Sequence, residues 1–134
     1  MIDLAKINNP TAKFQVMDCR KIETLDKKFD AIMCGFCLPY LSKNETSKLF
    51  FDASNLLKPD GIFYLSTMED DYSNSTFKKG SSGDEIFMHY YSADFLKKEL
   101  TKNNFQILHL DRKEYFHHEE KTTDLIIIAQ KKLD

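Results

Sequence analysis

Between Phe29 and Met68 the sequence reads as strand, helix, turn and strand in direct succession, and that order limits the fold more than any other feature. Phe29 to Phe36 carries the run Ala31-Ile32-Met33-Cys34, apolar at successive positions, as expected of a central strand covered by helices on both faces. Ser42 and Glu45 have the spacing of a capping box, and Leu49, Phe50, Ala53, Leu56 and Leu57 recur on one helical stripe. Lys58-Pro59-Asp60-Gly61 ends that helix, because proline cannot continue it and glycine accepts backbone angles that other residues avoid. Ile62 to Thr67 follows as a second strand, parallel to the first, and the fold class is α/β.

The remaining segments extend this plan. Ile2 to Asn8 reads as a short helix closed by Asn9 and Pro10. In Ala12 to Met17 the apolar Ala12, Phe14 and Val16 alternate with Lys13 and Gln15, which predicts a strand ending at Asp18. Glu69 to Asp84 is the most polar stretch and reads as a mobile loop of the kind that covers active sites. Ser92 caps a predicted helix carrying Phe95, Leu96 and Leu100. Phe105 to Leu110 and Leu125 to Ala129 read as an antiparallel pair about the polar turn His117 to Lys121.

Composition excludes several classes. The 134 residues fit one small domain, since domains usually hold roughly 100 to 200 residues. Nineteen basic and 21 acidic residues give a net charge of -2 with both signs interspersed. No basic stripe stands out, and nucleic acid is not an expected partner. No apolar run approaches the ~20 residues that cross a bilayer, so no membrane is expected either. Cys19, Cys34 and Cys37 follow no signal peptide and read as reduced thiols of a soluble, cytoplasmic protein.

Taken together, Ala12-Lys13-Phe14-Gln15-Val16-Met17-Asp18-Cys19, Phe29-Asp30-Ala31-Ile32-Met33-Cys34 and Leu56-Leu57-Lys58-Pro59-Asp60-Gly61 resemble, in order and spacing, the class I S-adenosylmethionine-dependent methyltransferases. The resemblance runs from the helix after that family's second strand to the C-terminus. It implies a three-layer Rossmann-like sheet with an antiparallel C-terminal strand pair, in a single partial domain over residues 1–134, truncated at the N-terminus. It also implies the cofactor S-adenosylmethionine and methyl transfer to a small-molecule acceptor. Asp18 and Cys19 fall at the positions that meet the adenine, an acid at the sheet rim and the amide after it. Cys34, Gly35 and Phe36 fall along the methionine side of the cofactor, with Tyr40 toward the acceptor pocket.

Phe87-Met88-His89-Tyr90-Tyr91 lies where such enzymes contribute acceptor-side residues, and His89 is the candidate general base, its ordinary pKa of ~6.5 suiting proton removal near neutrality. The family's Gly-rich loop, which cradles the cofactor's carboxylate end, has no counterpart here, because Gly35, Gly61, Gly80 and Gly83 form no G-x-G arrangement. The acid that holds the ribose hydroxyls is likewise missing, and so is the strand that flanks the Phe29–Phe36 strand in the family. An exposed sheet edge is therefore expected, and with it a homo-oligomer such as a dimer. The competing expectation is a non-catalytic methyltransferase-like interaction module that has lost its cofactor site. A nicotinamide-dependent oxidoreductase is disfavoured by the antiparallel ending and the absent glycine fingerprint.

Two other constellations carry less. Cys34-Gly35-Phe36-Cys37 has C-x-x-C spacing, but Cys34 ends a buried strand rather than starting a helix, so packing explains it better than redox chemistry. His117, His118, Glu119 and Glu120 sit on a polar turn where adjacent side chains rarely converge on a metal, and no metal is expected.

Overall fold

Leu57–Met68 forms the strand to which the others attach, here β2. On one side β1, Phe29–Gly35, pairs with it in parallel, Ile32 opposite Phe63 and Cys34 opposite Leu65. On the other side β6, Glu120–Lys131, runs antiparallel, with Phe63 opposite Ala129 and Leu65 opposite Ile127. β5, Phe105–His117, continues the sheet beyond β6, giving the order β1-β2-β6-β5. The computed structural model describes residues 2–13, 15, 17–79, 83–117 and 119–132.

Helix α1 spans Ile2–Asn8, α2 spans Lys43–Leu56 and α3 spans Ala93–Lys102, each where the sequence predicts one. The capping box of α2 is complete: Glu45 N–H donates to Ser42 Oγ at 3.3 Å and Ser42 N–H donates to Glu45 Oε1 at 2.9 Å. α2 and α3 pack side by side on one face of the sheet, where Ser47 Oγ donates to Glu99 Oε2 at 2.8 Å. Beneath them Phe63 meets Phe50 of α2 edge-on at 5.7 Å and Phe105 of β5 at 5.5 Å. Leu49, Ala53, Leu96, Leu100, Leu125 and Ile127 complete that core. The antiparallel C-terminal pair is present and longer than expected.

Three expectations change. β1 lies at the edge of the sheet among the described residues, as the missing flanking strand leads one to expect, but Met33 is 76% exposed, so its apolar run is not covered on both faces. The predicted strand Ala12 to Met17 is not seen among the described residues: a strand exists only as a hydrogen-bonded ladder, and Ala12, Lys13, Gln15 and Met17 are in none, while Phe14 and Val16 lie outside the described residues. The polar stretch Glu69 to Asp84 is not merely a loop. It holds a 3-10 helix, Tyr72–Asn74, and the strand β3, Thr76–Lys79, which pairs antiparallel with β4, Glu85–Met88. Phe77 and Phe87 stand opposite each other in that hairpin with ring centres 5.0 Å apart, a cross-strand aromatic pair of the kind that stabilises short ladders. His118, in the turn His117 to Glu120, lies outside the described residues.

At the turn after α2, the backbone with positive φ belongs to Asp60 (67°), and Gly61 serves a different need. A Cβ there would stand 2.8 Å from the Lys58 carbonyl oxygen, so only glycine lets the chain pass.

Tyr91 ties the helical layer together from inside. Its ring is fully buried, its hydroxyl donates to the Leu41 carbonyl, and Thr46 Oγ1 donates to it at 3.1 Å. Tyr91→Phe would leave a buried carbonyl and a buried hydroxyl without their partner, so a loss of about 1–3 kcal/mol is expected. Urea unfolding checks this, and an unchanged midpoint would show that the hydroxyl contributes nothing.

Candidate functional site

The carboxyl ends of parallel strands form the rim at which α/β sheets bind ligands. β1 reaches that rim at Gly35, opposite Ser66 of β2. The next residue, Phe36, leaves the sheet sharply: its amide donates to Ser66 O at 2.9 Å and to Ser66 Oγ at 3.3 Å, and its φ is 50°. Positive φ is uncommon for a side chain of this bulk and concentrates at functional sites. Phe36 remains 45% exposed, and the chain then enters a 3-10 turn, Leu38–Tyr40, anchored by buried Leu38 and Pro39 with Tyr40 turned outward. The space above Gly35 is not tight, because an added Cβ would meet only Ser66 Oγ at 3.9 Å.

Asp18 arrives at the same rim by another route. It is not the end of a strand but the N-cap of a 3-10 helix, Cys19–Thr24, accepting from the Arg20 amide at 2.9 Å. The Arg20 guanidinium also grips it, Nη2 donating to Oδ2 at 2.5 Å and Nε lying 3.0 Å from both oxygens. Arg20 Nη1 donates in turn to Glu45 Oε2 at 3.1 Å, so the capping acid of α2 steadies the same arginine. The Arg20 side chain and amide beside Asp18 hold its carboxyl well below the usual carboxylate range. It is ionised and acts only as an acceptor.

Cys19 carries this turn onto the end of β1. Its Sγ lies 3.3 Å from Cys37 Sγ, the thiol of Cys37 donating to that of Cys19. Burial pushes the Cys19 thiol up to about 12. The hydrogen bond with Cys37 lowers Cys34, and the same bond, together with burial, raises Cys37.

His89 approaches from the opposite side. Its amide donates to the Pro39 carbonyl at 2.8 Å, tying it to the turn that bears Tyr40. Its ring stacks on Tyr72 with centres 5.7 Å apart, meets Phe87 edge-on at 4.7 Å, and has Nδ1 2.9 Å from the Tyr72 hydroxyl. Burial lowers the His89 pKa, which keeps the ring neutral at physiological pH. Lys43 Nζ stands 4.3 Å from the centre of the Tyr72 ring, and both line a small cavity of about 210 Å³ closed by Tyr91 and Phe95. Met88 and Tyr90, one residue to either side of His89, instead line a cleft of about 620 Å³ at the end of β2.

The candidate residues thus gather in two groups joined by the segment from Cys37 to Tyr40. Asp18, Cys19, Cys34, Gly35 and Phe36 are on one side, with Tyr40 and His89 on the other. Sequence reasoning missed Arg20 and Tyr72. The Asp18-x-Arg20 spacing could have pointed to the first, since an N-cap acid lies within reach of a side chain two residues on. Tyr72 was signalled only by being aromatic in a polar stretch.

The acceptor at Asp18 suits an exocyclic amino group such as that of adenine. Four hydrogen bonds from Arg20 already occupy its oxygens, so such a ligand must displace at least one of them. The described residues contain no cluster of three or more metal-binding side chains, and none of their helices is long and apolar enough to cross a membrane.

Parallel β1 and β2 joined through α2, followed by an antiparallel pair, with an acid at the strand-end rim, define a methyltransferase-type α/β fold. A family model described as "Methyltransferase domain" matches residues 1–110, and the chain belongs to this family. A 65-residue stretch is 37% identical to a protein of Invertebrate iridescent virus 6 named "Putative methyltransferase 235L". That stretch covers 48% of this chain and 23% of the viral protein. A crystal structure of an S-adenosylmethionine-dependent methyltransferase from Methanosarcina mazei superposes with a TM-score of 0.81 at 20% identity, covering 99% of this chain and 78% of that one. The 1,6-didemethyltoxoflavin-N1-methyltransferase of Burkholderia thailandensis, solved with its substrate and S-adenosylhomocysteine, gives a TM-score of 0.61 at 19% identity over 84% of this chain and 48% of that one.

His89 gives the site a pH signature. Its folded pKa lies below the ordinary 6.5, so the folded state binds a proton less readily than the unfolded chain. The associated stability is complete above about 6.5 and is lost as pH falls through that value toward the lowered one. The urea midpoint should therefore decline on acidification just below about pH 6.5, and His89→Gln should flatten the decline. An equal decline in the variant would assign it to other groups.

Proposed function

We propose that this chain supplies the adenine-side and acceptor-side parts of an S-adenosylmethionine-dependent methyltransferase acting on a small-molecule acceptor. The observation that supports it most is the meeting of the Asp18–Cys19 turn with the end of β1 through the 3.3 Å contact of Cys19 and Cys37. In this reading Asp18 accepts from the adenine amino group, and the Cys19 amide faces the ring. Cys34, Gly35 and Phe36 follow the cofactor toward its sulfur. The cofactor, when bound, supplies the activated methyl group. What remains for the protein is to align the acceptor with that methyl and to take a proton where the acceptor must lose one.

His89 fits the second task. With Nδ1–H donating to the Tyr72 hydroxyl oxygen, Nε2 is the nitrogen that receives the proton, and burial keeps the ring neutral beforehand. Tyr40, exposed on the turn bonded to His89, faces the acceptor side. A small-molecule acceptor, a cytoplasmic setting and the absence of nucleic-acid or membrane partners belong to the same reading. It rests on composition and on the narrow scale of the cavity beside Tyr72.

A second reading is favoured by two observations. Arg20 already saturates Asp18, and β1 offers an open edge with Met33 exposed. Those features suit a non-catalytic interaction module that assembles, for instance as a dimer, through that edge.

Isothermal titration with S-adenosylhomocysteine separates the two. The first reading expects measurable binding that Asp18→Ala weakens about tenfold or more, roughly the loss of one hydrogen bond to a charged group. No detectable binding by the folded chain would overturn it in favour of the interaction module.

A further inference from the structure

Cys37 stands between two other thiols. Its Sγ is 3.3 Å from that of Cys19, and Cys34 lies three residues before it near the end of β1, so cysteines from two separate segments meet at the rim of the sheet. All three are free and only part-buried. The 3.3 Å contact exceeds a disulfide bond by only about 1.3 Å, a distance that small rotations of the two side chains can close. The C-x-x-C spacing by itself reads as packing; Cys19, from a different segment, is what changes the chemistry available.

We propose that Cys34, Cys37 and Cys19 form a redox-active thiol site in which hydrogen peroxide oxidises Cys34 and the oxidation ends as a reversible Cys19–Cys37 disulfide. The Cys34 sulfur attacks one peroxide oxygen, the O–O bond breaks, and Cys34 sulfenic acid and water result. The Cys37 sulfur displaces the hydroxyl as a second water, forming a Cys34–Cys37 bond. Cys19 then attacks the Cys37 sulfur, the bond to Cys34 breaks, and Cys34 recovers its proton. Overall, two thiol protons and two electrons pass to the peroxide, which is reduced to two waters. A dithiol reductant reverses the outcome.

The order of events follows from the surroundings. The hydrogen bond with Cys37 favours the Cys34 thiolate, whereas burial disfavours that of Cys19, so Cys34 is the first to react. A Cys34–Cys37 bridge would enclose only Gly35 and Phe36, the latter already at positive φ, while Cys19 and Cys37 touch as they stand. Strained disulfides are the more oxidising ones and exchange away. The chemistry needs no bound cofactor and stands apart from the methyl-transfer reading.

Tryptic mapping reads the result directly. Cleavage places Cys19 on peptide 14–20 and both other cysteines on peptide 29–43, so a Cys19–Cys37 bond joins two peptides while a Cys34–Cys37 bond stays within one. After hydrogen peroxide and alkylation of the folded chain, the expected species is the joined pair with Cys34 alkylated, lost on treatment with dithiothreitol. Cys34→Ser should slow its formation several-fold, and Cys37→Ser or Cys37→Ala should abolish it. Peptide 14–20 recovered fully alkylated after oxidation, or a final bridge confined to peptide 29–43, would overturn the proposal; the wild-type map decides between these even if a Cys37 variant folds poorly.

Discussion

Phe63 is the contact on which the arrangement of layers depends. It lies fully buried in the central strand, edge-on to Phe50 of α2 and tilted against Phe105 of β5. One side chain therefore fixes the height of a helix above the sheet and joins β2 to a strand two places away in the ladder. Aromatic rings that bury so much surface and also prefer defined mutual angles specify geometry as well as stability. Truncating Phe63 would open a cavity beneath both helices, and core truncations of this size are among the costliest single changes known, at about 3–5 kcal/mol. The rim follows from that packing, since the height of α2 sets where Glu45 meets Arg20 and hence where Asp18 is held.

The sequence made the central unit legible because its signals were local and mutually consistent. Ser42 and Glu45 did form a capping box and α3 lies where its pattern indicated, while β2 holds the expected Ile62 to Thr67 but begins earlier, at Leu57, directly after α2. The failures came where structure depends on partners. Ala12 to Met17 alternates like a strand, yet alternation describes only a face, and its described residues join no ladder. The Thr76–Met88 hairpin was hidden by its polar surroundings, although Phe77 and Phe87 pair across it. Gly61 was noticed for the wrong reason, since sequence cannot show that a carbonyl crowds it while Asp60 takes the unusual φ.

The candidate site shows the same division. Residue types at the strand ends could be read from order and spacing, and Cys19, Cys34 and Gly35 do assemble near the end of β1. What acts on them could not be read, because it arrives from elsewhere in the chain. Arg20 determines the charge and occupancy of Asp18, and Tyr72 orients His89 across 17 positions. Cys37, set aside as packing, is the residue through which the two rim segments touch. Sequence patterning identifies candidates, whereas their state depends on neighbours that only a folded chain supplies.

The pairing of β2 with β6 also bears on how the chain reaches this fold. β1, α2 and β2 are consecutive and can associate as soon as they are made, but the far edge of β2 meets its partner only when Ile62 finds Gln130. Closing so long a loop is slow compared with forming local contacts. Until it closes, the strand that carries buried Leu57, Phe63 and Leu65 has an unsatisfied edge and resembles the transient species that aggregate during synthesis. The same ladder that gives the native sheet its centre thus makes the nascent chain dependent on speed of completion or on chaperones.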